Sequence, residues 1–199
     1  MDKYNIVMPQ EVKDIIKQIE AAGFEAFAVG GCVRDCILGR TPQDWDITTS
    51  ALPSQIKEIF ARTIDTGIQH GTVTVMIGKT GYEITTYRID GEYKDCRHPE
   101  NVEFSSDLKD DLKRRDFTIN AMAYNDSTGL VDEFDGINDL NKGIIRCVGD
   151  AKERFTEDAL RMMRAIRFSA QLGFDIEENT YNAISKPVSY THLRAHETR

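Results

Sequence analysis

Apolar side chains recur along the chain at two spacings, and the change between them outlines its organisation. Residues 9–22 place Val12, Ile15, Ile16 and Ile19 at helical intervals, with Gly23 positioned to end the helix. EAFAV (25–29) predicts a short buried strand, and 31–38 a helix stopped by Gly39. A second strand is expected over WDITT (45–49), then a helix over 53–60 opened by Ser50 or Pro53. GTVTVMIG (71–78) and GYEITTYRI (81–89) are β-branched and alternate, which predicts a hairpin around a Lys-Thr turn. Residues 90–103 lack periodicity and carry charges and Pro99, so they read as a mobile loop.

A short helix is expected over 108–113, and FTINAMAY (117–124) alternates as a strand. GIIRCVG (143–149) reads as a last strand running into a hinge at Gly149. Beyond it the pattern is helical. Asp150 and Glu153 fit a capping box, and Thr156 is expected to cap an amphipathic run that Gly173 closes after Leu172. The expectation is an α/β (α+β) head with a mixed β-sheet flanked by helices, residues 1–148, followed by an all-α segment, residues 149–187.

Composition narrows the class. With 199 residues, 40% of them hydrophobic, the chain suits one or two compact domains with a real core. It has no apolar run near the ~20 residues of a membrane span, and residues 1–10 form no signal-peptide core. A cytoplasmic protein with no membrane partner is expected. Cys32, Cys36, Cys96 and Cys147 form no C-x-x-C pair and read as small buried thiols. A net charge of −8 excludes a uniformly basic coat but allows a local basic groove or metal-holding acids.

The candidate chemistry begins with acids where acids are poor strand formers. In a strand, Asp44 and Asp46 share one face while Trp45 and Ile47 point to the core. Glu83 shares a face with Thr85 and Tyr87 and could join the aspartates from a neighbouring strand. Three convergent carboxylates need cations, and such oxygen ligands suit two Mg²⁺ ions. A D-x-D pair alone is common, and by itself it favours a plain exposed strand face. Gly30-Gly31 after a strand and before a helix bare backbone N–H groups to a phosphate, with Arg34 one turn further on. A tight turn with Arg34 paired to Asp35 is the plainer alternative.

The order GG-x-V-R-D … D-x-D resembles the nucleotidyltransferase superfamily, specifically the class II (bacterial-type) tRNA CCA-adding enzymes and their poly(A) polymerase relatives. DLKRRDFTINAMAY (111–124) is similar to that family's second head motif, and YKDCRHPENVEF (93–104) to its flexible loop. FDGINDLNKGIIRCVG (134–149) is similar to its head–neck connector, and RFTEDALRMMRAIRFSAQLGF (154–174) to its nucleotide-reading neck. The resemblance runs nearly unbroken from about residue 24 to 187.

It implies that Asp44 and Asp46 hold metal, with Glu83 as a third catalytic carboxylate. It implies that Gly31, Arg34, Arg115, Arg164 and Arg167 contact the nucleotide. Asp158 and Arg161 would read the base, while Asp116 and Asn120 pin the second motif. On a wheel of about 100° per residue, Asp158, Arg161, Arg164 and Ala165 fall opposite Leu160, Met162, Met163 and Ile166. Arg167 falls on the apolar side. A solvated face accounts for Glu157 and Asp158 but does not require the arginines. An Asp158–Arg161 pair, one acceptor beside donors, would suit the amino group and ring nitrogen of cytosine or adenine and oppose uracil or guanine.

The implied partners are CTP, ATP and a tRNA 3′ end; oligomeric state is not readable. The rivals are a poly(A) polymerase using ATP alone and a catalytically inactive RNA-binding module. Residues 188–199, VSYTHLRAHETR, depart from the family pattern and read as a non-native tail. His192 and His196 within it are given no role. The neck segment is expected to be truncated, leaving little tRNA affinity or activity.

Overall fold

The computed structural model describes residues 4, 6–91 and 102–185. Helix α1 (Gln10–Ala21) buries Val12, Ile15, Ile16 and Ile19, the four positions its spacing selects. Strand β1 (Ala26–Val29) is buried throughout and leads through Gly30 into α2 (Gly31–Ile37). Strand β2 (Ile47–Thr49) and helix α3 (Pro53–Ile59) follow, with proline at the first turn of α3. Next come β3 (Thr63–Gly67), β4 (Thr72–Ile77) and β5 (Thr80–Thr86). The β4–β5 turn is Gly78-Lys79, one residue earlier than expected, with Ile77 paired to Thr80 and Gly78 at φ 61°.

Strands β6 (Arg88–Asp90) and β7 (Val102–Phe104) pair antiparallel at the two ends of the expected loop. The loop's centre, Cys96 and the 188–199 tail lie outside the described residues. Helix α4 (Leu108–Lys113) is capped by Asp107. The expected strand over 117–124 divides instead into a single 3₁₀ turn, Thr118–Asn120, and β8 (Met122–Asn125). Strand β9 (Gly129–Asp132) then leads to helix α5 (Gly136–Lys142), whose first N–H groups are accepted by the Asp132 carboxylate. Strand β10 (Ile144–Ile145) is only two residues long. After α6 (Ala151–Glu157) and α7 (Leu160–Leu172), β11 (Asp175–Ile176) pairs with it in parallel, ahead of α8 (Glu178–Ser185).

Seven strands form a mixed sheet in the order β3-β4-β5-β2-β1-β8-β9. The β2–β5 pair is parallel and its other neighbouring pairs are antiparallel. The main apolar cluster runs from Ile6 to Ala183, so one core joins the sheet layer to the helices that follow. Among the described residues no helix is long and apolar enough to cross a membrane.

Two expectations about the helical segment are corrected. Thr156 does not begin a helix: its hydroxyl donates back to Lys152 O at 2.8 Å inside α6. The chain breaks at Asp158, which takes extended backbone and accepts from Leu160 N at 2.9 Å. Helix α7 also keeps only Met162 of the four expected apolar positions inward and turns part of the expected polar face to the core. Arg161, Met162, Ala165 and Phe168 are buried, while Leu160, Met163 and Ile166 are 41%, 59% and 48% exposed. The aromatic contact of Phe168 with Phe117, edge to face at 5.9 Å, fixes that orientation against the sheet layer.

The segment that carries the second motif is clamped by a close backbone approach. A Cβ built on Gly136 would stand 2.4 Å from Thr118 O. Thr118 Oγ1 also donates to the buried Asp139 at 2.7 Å. Gly136→Ala is therefore expected to lower stability by about 2 kcal/mol, within the range for overpacking a filled core. Urea unfolding of the variant checks this; a loss below ~0.5 kcal/mol would mean that the clamp yields.

Candidate active site

Asp44 and Asp46 lie just ahead of β2 rather than within it, because ladder pairing with β1 begins only at Ile47. The segment still alternates. Trp45 is 9% exposed and Ile47 1%, whereas both aspartates face solvent. Val29 N donates to Asp46 O at 3.0 Å and ties the segment to the end of β1. In the parallel β2–β5 register Ile47 opposes Ile84, so Asp46, just ahead of β2, leads in from the same end of the pair as Glu83 on β5.

The three acids do not converge fully. Among the described residues no group of three His, Cys, Asp or Glu side chains is close enough to hold one metal ion. Three unpaired carboxylates repel, so the acids stay apart without added positive charge. Asp44, Asp46 and Glu83 nevertheless line one cavity of about 640 Å³. Glu83 is also part of the wall of a second, of about 500 Å³, with Arg114, Arg115, Arg161, Arg164 and Asp158. Glu83 is thus the wall shared by an acidic cavity and an arginine-rich one.

Arg115 connects them electrostatically. Although Asp46 reaches solvent, partial desolvation by its surroundings pushes its carboxyl above the ordinary value; Arg115 pulls it back, and Asp44 pushes it up again. No hydrogen bond or ion pair to the Asp44 or Asp46 carboxylate occurs among the described residues, so an added cation would relieve both. Hard oxygen donors with uncompensated charge fit a divalent ion such as Mg²⁺.

The glycines stand on the other side of Arg115. Gly30, at φ 81°, would bring a Cβ to 3.1 Å from Arg115 Nη1, so the turn stays bare. Gly31 opens α2, and Arg34, three residues on, is 9% exposed. The pairing left open in the sequence is realised: Arg34 Nε donates to Asp35 at 2.8 Å and Nη1 to Asn120 Oδ1 at 2.7 Å. Gly31, Arg34 and Arg167 do not line the arginine-rich cavity, nor do Asp44 and Asp46.

Asp116 accepts from Arg164 Nε at 2.7 Å, from Phe117 N at 2.8 Å and from Asn120 Nδ2 at 3.1 Å. It and Asn120 are buried pins, as expected. Arg161 donates to Glu157 at 3.0 Å and to Arg114 O at 3.2 Å, with Nε 4.0 Å from Asp158. Asp158 and Arg161 thus meet at one wall, each side chain held by its own neighbours. Among the described cysteines, burial pushes the Cys32 and Cys147 thiols up to about 12, and Cys36 upward as well, which disfavours the reactive thiolate.

One residue absent from the sequence-derived set is central here. Asp111 is fully buried and accepts from Thr48 Oγ1 at 3.1 Å, Arg114 Nη2 at 2.7 Å and Arg115 Nη2 at 3.0 Å. It aims both arginines at the cavity. The signal was present in DLKRR, where an acid sits three and four residues before two arginines on one helix face.

The Poly A polymerase head domain family matches residues 26–146 of the chain. The CCA-adding enzyme of Leuconostoc mesenteroides is 57% identical over 180 residues, 89% of this chain and 45% of that protein. A Bacillus stearothermophilus CCA-adding enzyme in complex with CTP superposes with a TM-score of 0.81 at 46% identity, over 89% of this chain and 43% of that one. A Thermotoga maritima CCA-adding enzyme complexed with tRNA gives 0.73 at 29% identity, over 90% and 42%. The chain spans less than half the length of these relatives.

The two carboxyls are expected to respond oppositely to pH. Asp46 is held above its ordinary value, so its ionisation costs stability once pH rises through that value. Asp46→Asn should raise stability at pH 7 by a few tenths of a kcal/mol, a solvent-screened amount, and the gain should vanish below about pH 4. For Asp111, burial pushes the carboxyl up, but Arg115 and Arg114 outweigh it and hold the carboxyl below its ordinary value. Its contribution is present at neutral pH and lost as pH falls through that lowered value. Asp111→Asn should cost about 3–5 kcal/mol at pH 7 and flatten the acid limb of the stability profile. Urea titrations from pH 3 to 8 read both effects; equal effects of either change at all pH values would contradict them.

Proposed function

The chain belongs to the Poly A polymerase head domain family, and from that premise we propose that it is the catalytic and nucleotide-reading part of a tRNA CCA-adding enzyme. Such an enzyme would add C and A residues to a tRNA 3′ end from CTP and ATP without a nucleic-acid template, in the cytoplasm. Residues 1–148 would be the catalytic head and 149–187 the base-reading segment. The observation that carries the reading is the shared wall: acids and arginines lie in adjoining cavities, joined at Glu83.

Members of the family generally use divalent metals. Asp44 and Asp46 would hold two Mg²⁺ ions, with Glu83 beside them. Such ions, when bound, activate the attacking hydroxyl and stabilise the departing pyrophosphate. The chain's own residues do the rest. Arg115 and Arg164, already aimed by Asp111 and Asp116, hold the triphosphate with Arg34, while the bare Gly30-Gly31 turn lets it approach the backbone. The α-phosphate is thereby presented to the RNA 3′-hydroxyl, whose oxygen forms the new ester bond as pyrophosphate leaves.

Base choice would fall to Asp158 and Arg161. Glu157 and Arg114 O fix the guanidinium edge, which donates to the ring nitrogen of cytosine or adenine. Asp158 accepts from the neighbouring amino group. Uracil and guanine would set donor against donor and acceptor against acceptor, leaving buried polar groups unpaired. The matched family's description keeps one other reading in view, an ATP-only poly(A) polymerase. Incorporation of labelled CTP and ATP on tRNA lacking its 3′ end, in the presence of Mg²⁺, separates the two. Incorporation of C followed by A supports CCA addition; A alone supports the polymerase.

Arg161→Ala is expected to reduce the CTP:UTP preference by about 10²-fold or more, in line with the loss of a hydrogen-bonding discriminator. Triphosphate affinity should fall much less. Single-nucleotide incorporation with all four nucleotides measures this. An unchanged ratio would assign Arg161 to structure alone.

A further inference from the structure

Three guanidinium groups converge on one side chain. Arg34 from α2 and Arg164 and Arg167 from α7 place their guanidinium carbons 5.3, 5.2 and 5.1 Å from the centre of the Phe168 ring. All fall within the ~6 Å reach of cation–π attraction. Like charges gathered this closely repel, so the arrangement needs both the ring and counter-charges to persist. Asp35 neutralises Arg34, and Asp116 neutralises Arg164. Arg167 has no ion pair among the described residues, and its side chain is exposed. Three cations and two anions leave one formal positive charge at the ring.

Phe168 itself is 7% exposed and is held edge to face by Phe117 at 5.9 Å. Phe117 is fully buried in the segment that carries Asp116. The ring is therefore a rigid plate backed by the core, with guanidiniums drawn from two helices far apart in sequence. Arg34 Nη2 also lies 3.6 Å from where a Cβ on Gly31 would stand, so the Arg34 member of the cluster is close to the bare glycine turn.

We infer that Phe168 is a positioning residue that presents Arg34, Arg164 and Arg167 as one polyphosphate-binding platform, a role that rests on the nucleotide-transfer reading above. Counting donors supports it. Arg34 uses Nε, Nη1 and Nη2 on Asp35 and Asn120, and Arg164 uses Nε and Nη2 on Asp116. Each guanidinium carries five N–H groups, so both keep donors for an anion, and Arg167 keeps more. The platform recognises charge rather than base, which separates its role from that of Asp158 and Arg161.

Calorimetric titration of the full chain with tripolyphosphate, CTP and UTP, each with Mg²⁺, tests the assignment. Phe168→Leu is expected to weaken tripolyphosphate and CTP alike by about tenfold while leaving the CTP:UTP preference unchanged. Phe168→Tyr, which restores the ring, should stay within about twofold of the parent. Arg167→Gln, an exposed change, should weaken tripolyphosphate several-fold whether or not Phe168→Leu folds. Thermal melts establish folding of each variant. A folded Phe168→Leu that binds tripolyphosphate as tightly as the parent would overturn the platform. So would an unaffected Arg167→Gln, or a parent chain that does not bind tripolyphosphate. Tripolyphosphate binding lost in Phe168→Leu, without any CTP preference in the parent, would support the platform and count against base reading.

Discussion

The buried carboxylate of Asp116 is the constraint on which the site depends. It accepts from Arg164 on α7, from Phe117 N and from Asn120, and Asn120 in turn accepts from Arg34 on α2. One acid thus joins the sheet layer to the helical segment and sets two arginines relative to each other. Both side chains are largely withdrawn from solvent: Asp116 is 8% exposed and Asn120 6%. In such a place a charge is tolerated only if paired and fully hydrogen-bonded. The geometry of the arginines follows from that requirement rather than from their own preferences.

The acids of the site divide into two kinds with opposite energetics. Asp111 and Asp116 are buried, paired and structural, and they orient cations. Asp44 and Asp46 are exposed and unpaired, and Arg115 only partly offsets the charge at Asp46. Structural acids hold the arginine-lined cavity in shape before any ligand arrives, which is the preorganisation that electrostatic catalysis needs. The unpaired acids are a standing cost that added cations remove, as expected where stability is given up for function.

Much of this was legible in the sequence. Val12, Ile15, Ile16 and Ile19 specified α1, and alternation around Gly78 specified the β4–β5 hairpin. The Gly30-Gly31, Arg34, Asp44 and Asp46 order directed attention to the site because strands rarely carry such residues without cause. The inward face of α7 was not legible. A wheel that scores Leu160, Met163 and Ile166 as core cannot know that Phe168 packs on Phe117 and pulls Arg161 and Ala165 inward. Strand β3 was missed because its residues are mostly exposed and show no apolar alternation. Helix α5 was missed because it is capped by Asp132, four residues before its first turn and inside a strand.

The carboxylates and the arginine-lined cavity are expected to form a single nucleotide site. A crystal of the chain grown with Mn²⁺ and CTP, with diffraction recorded at the manganese edge, tests it most directly. The expected result is anomalous density at Asp44 and Asp46, triphosphate against Arg115 and Arg164, and the cytosine edge at Asp158 and Arg161. Manganese at those aspartates with CTP bound away from the arginines, or CTP in the cavity with no metal at the acids, would contradict it.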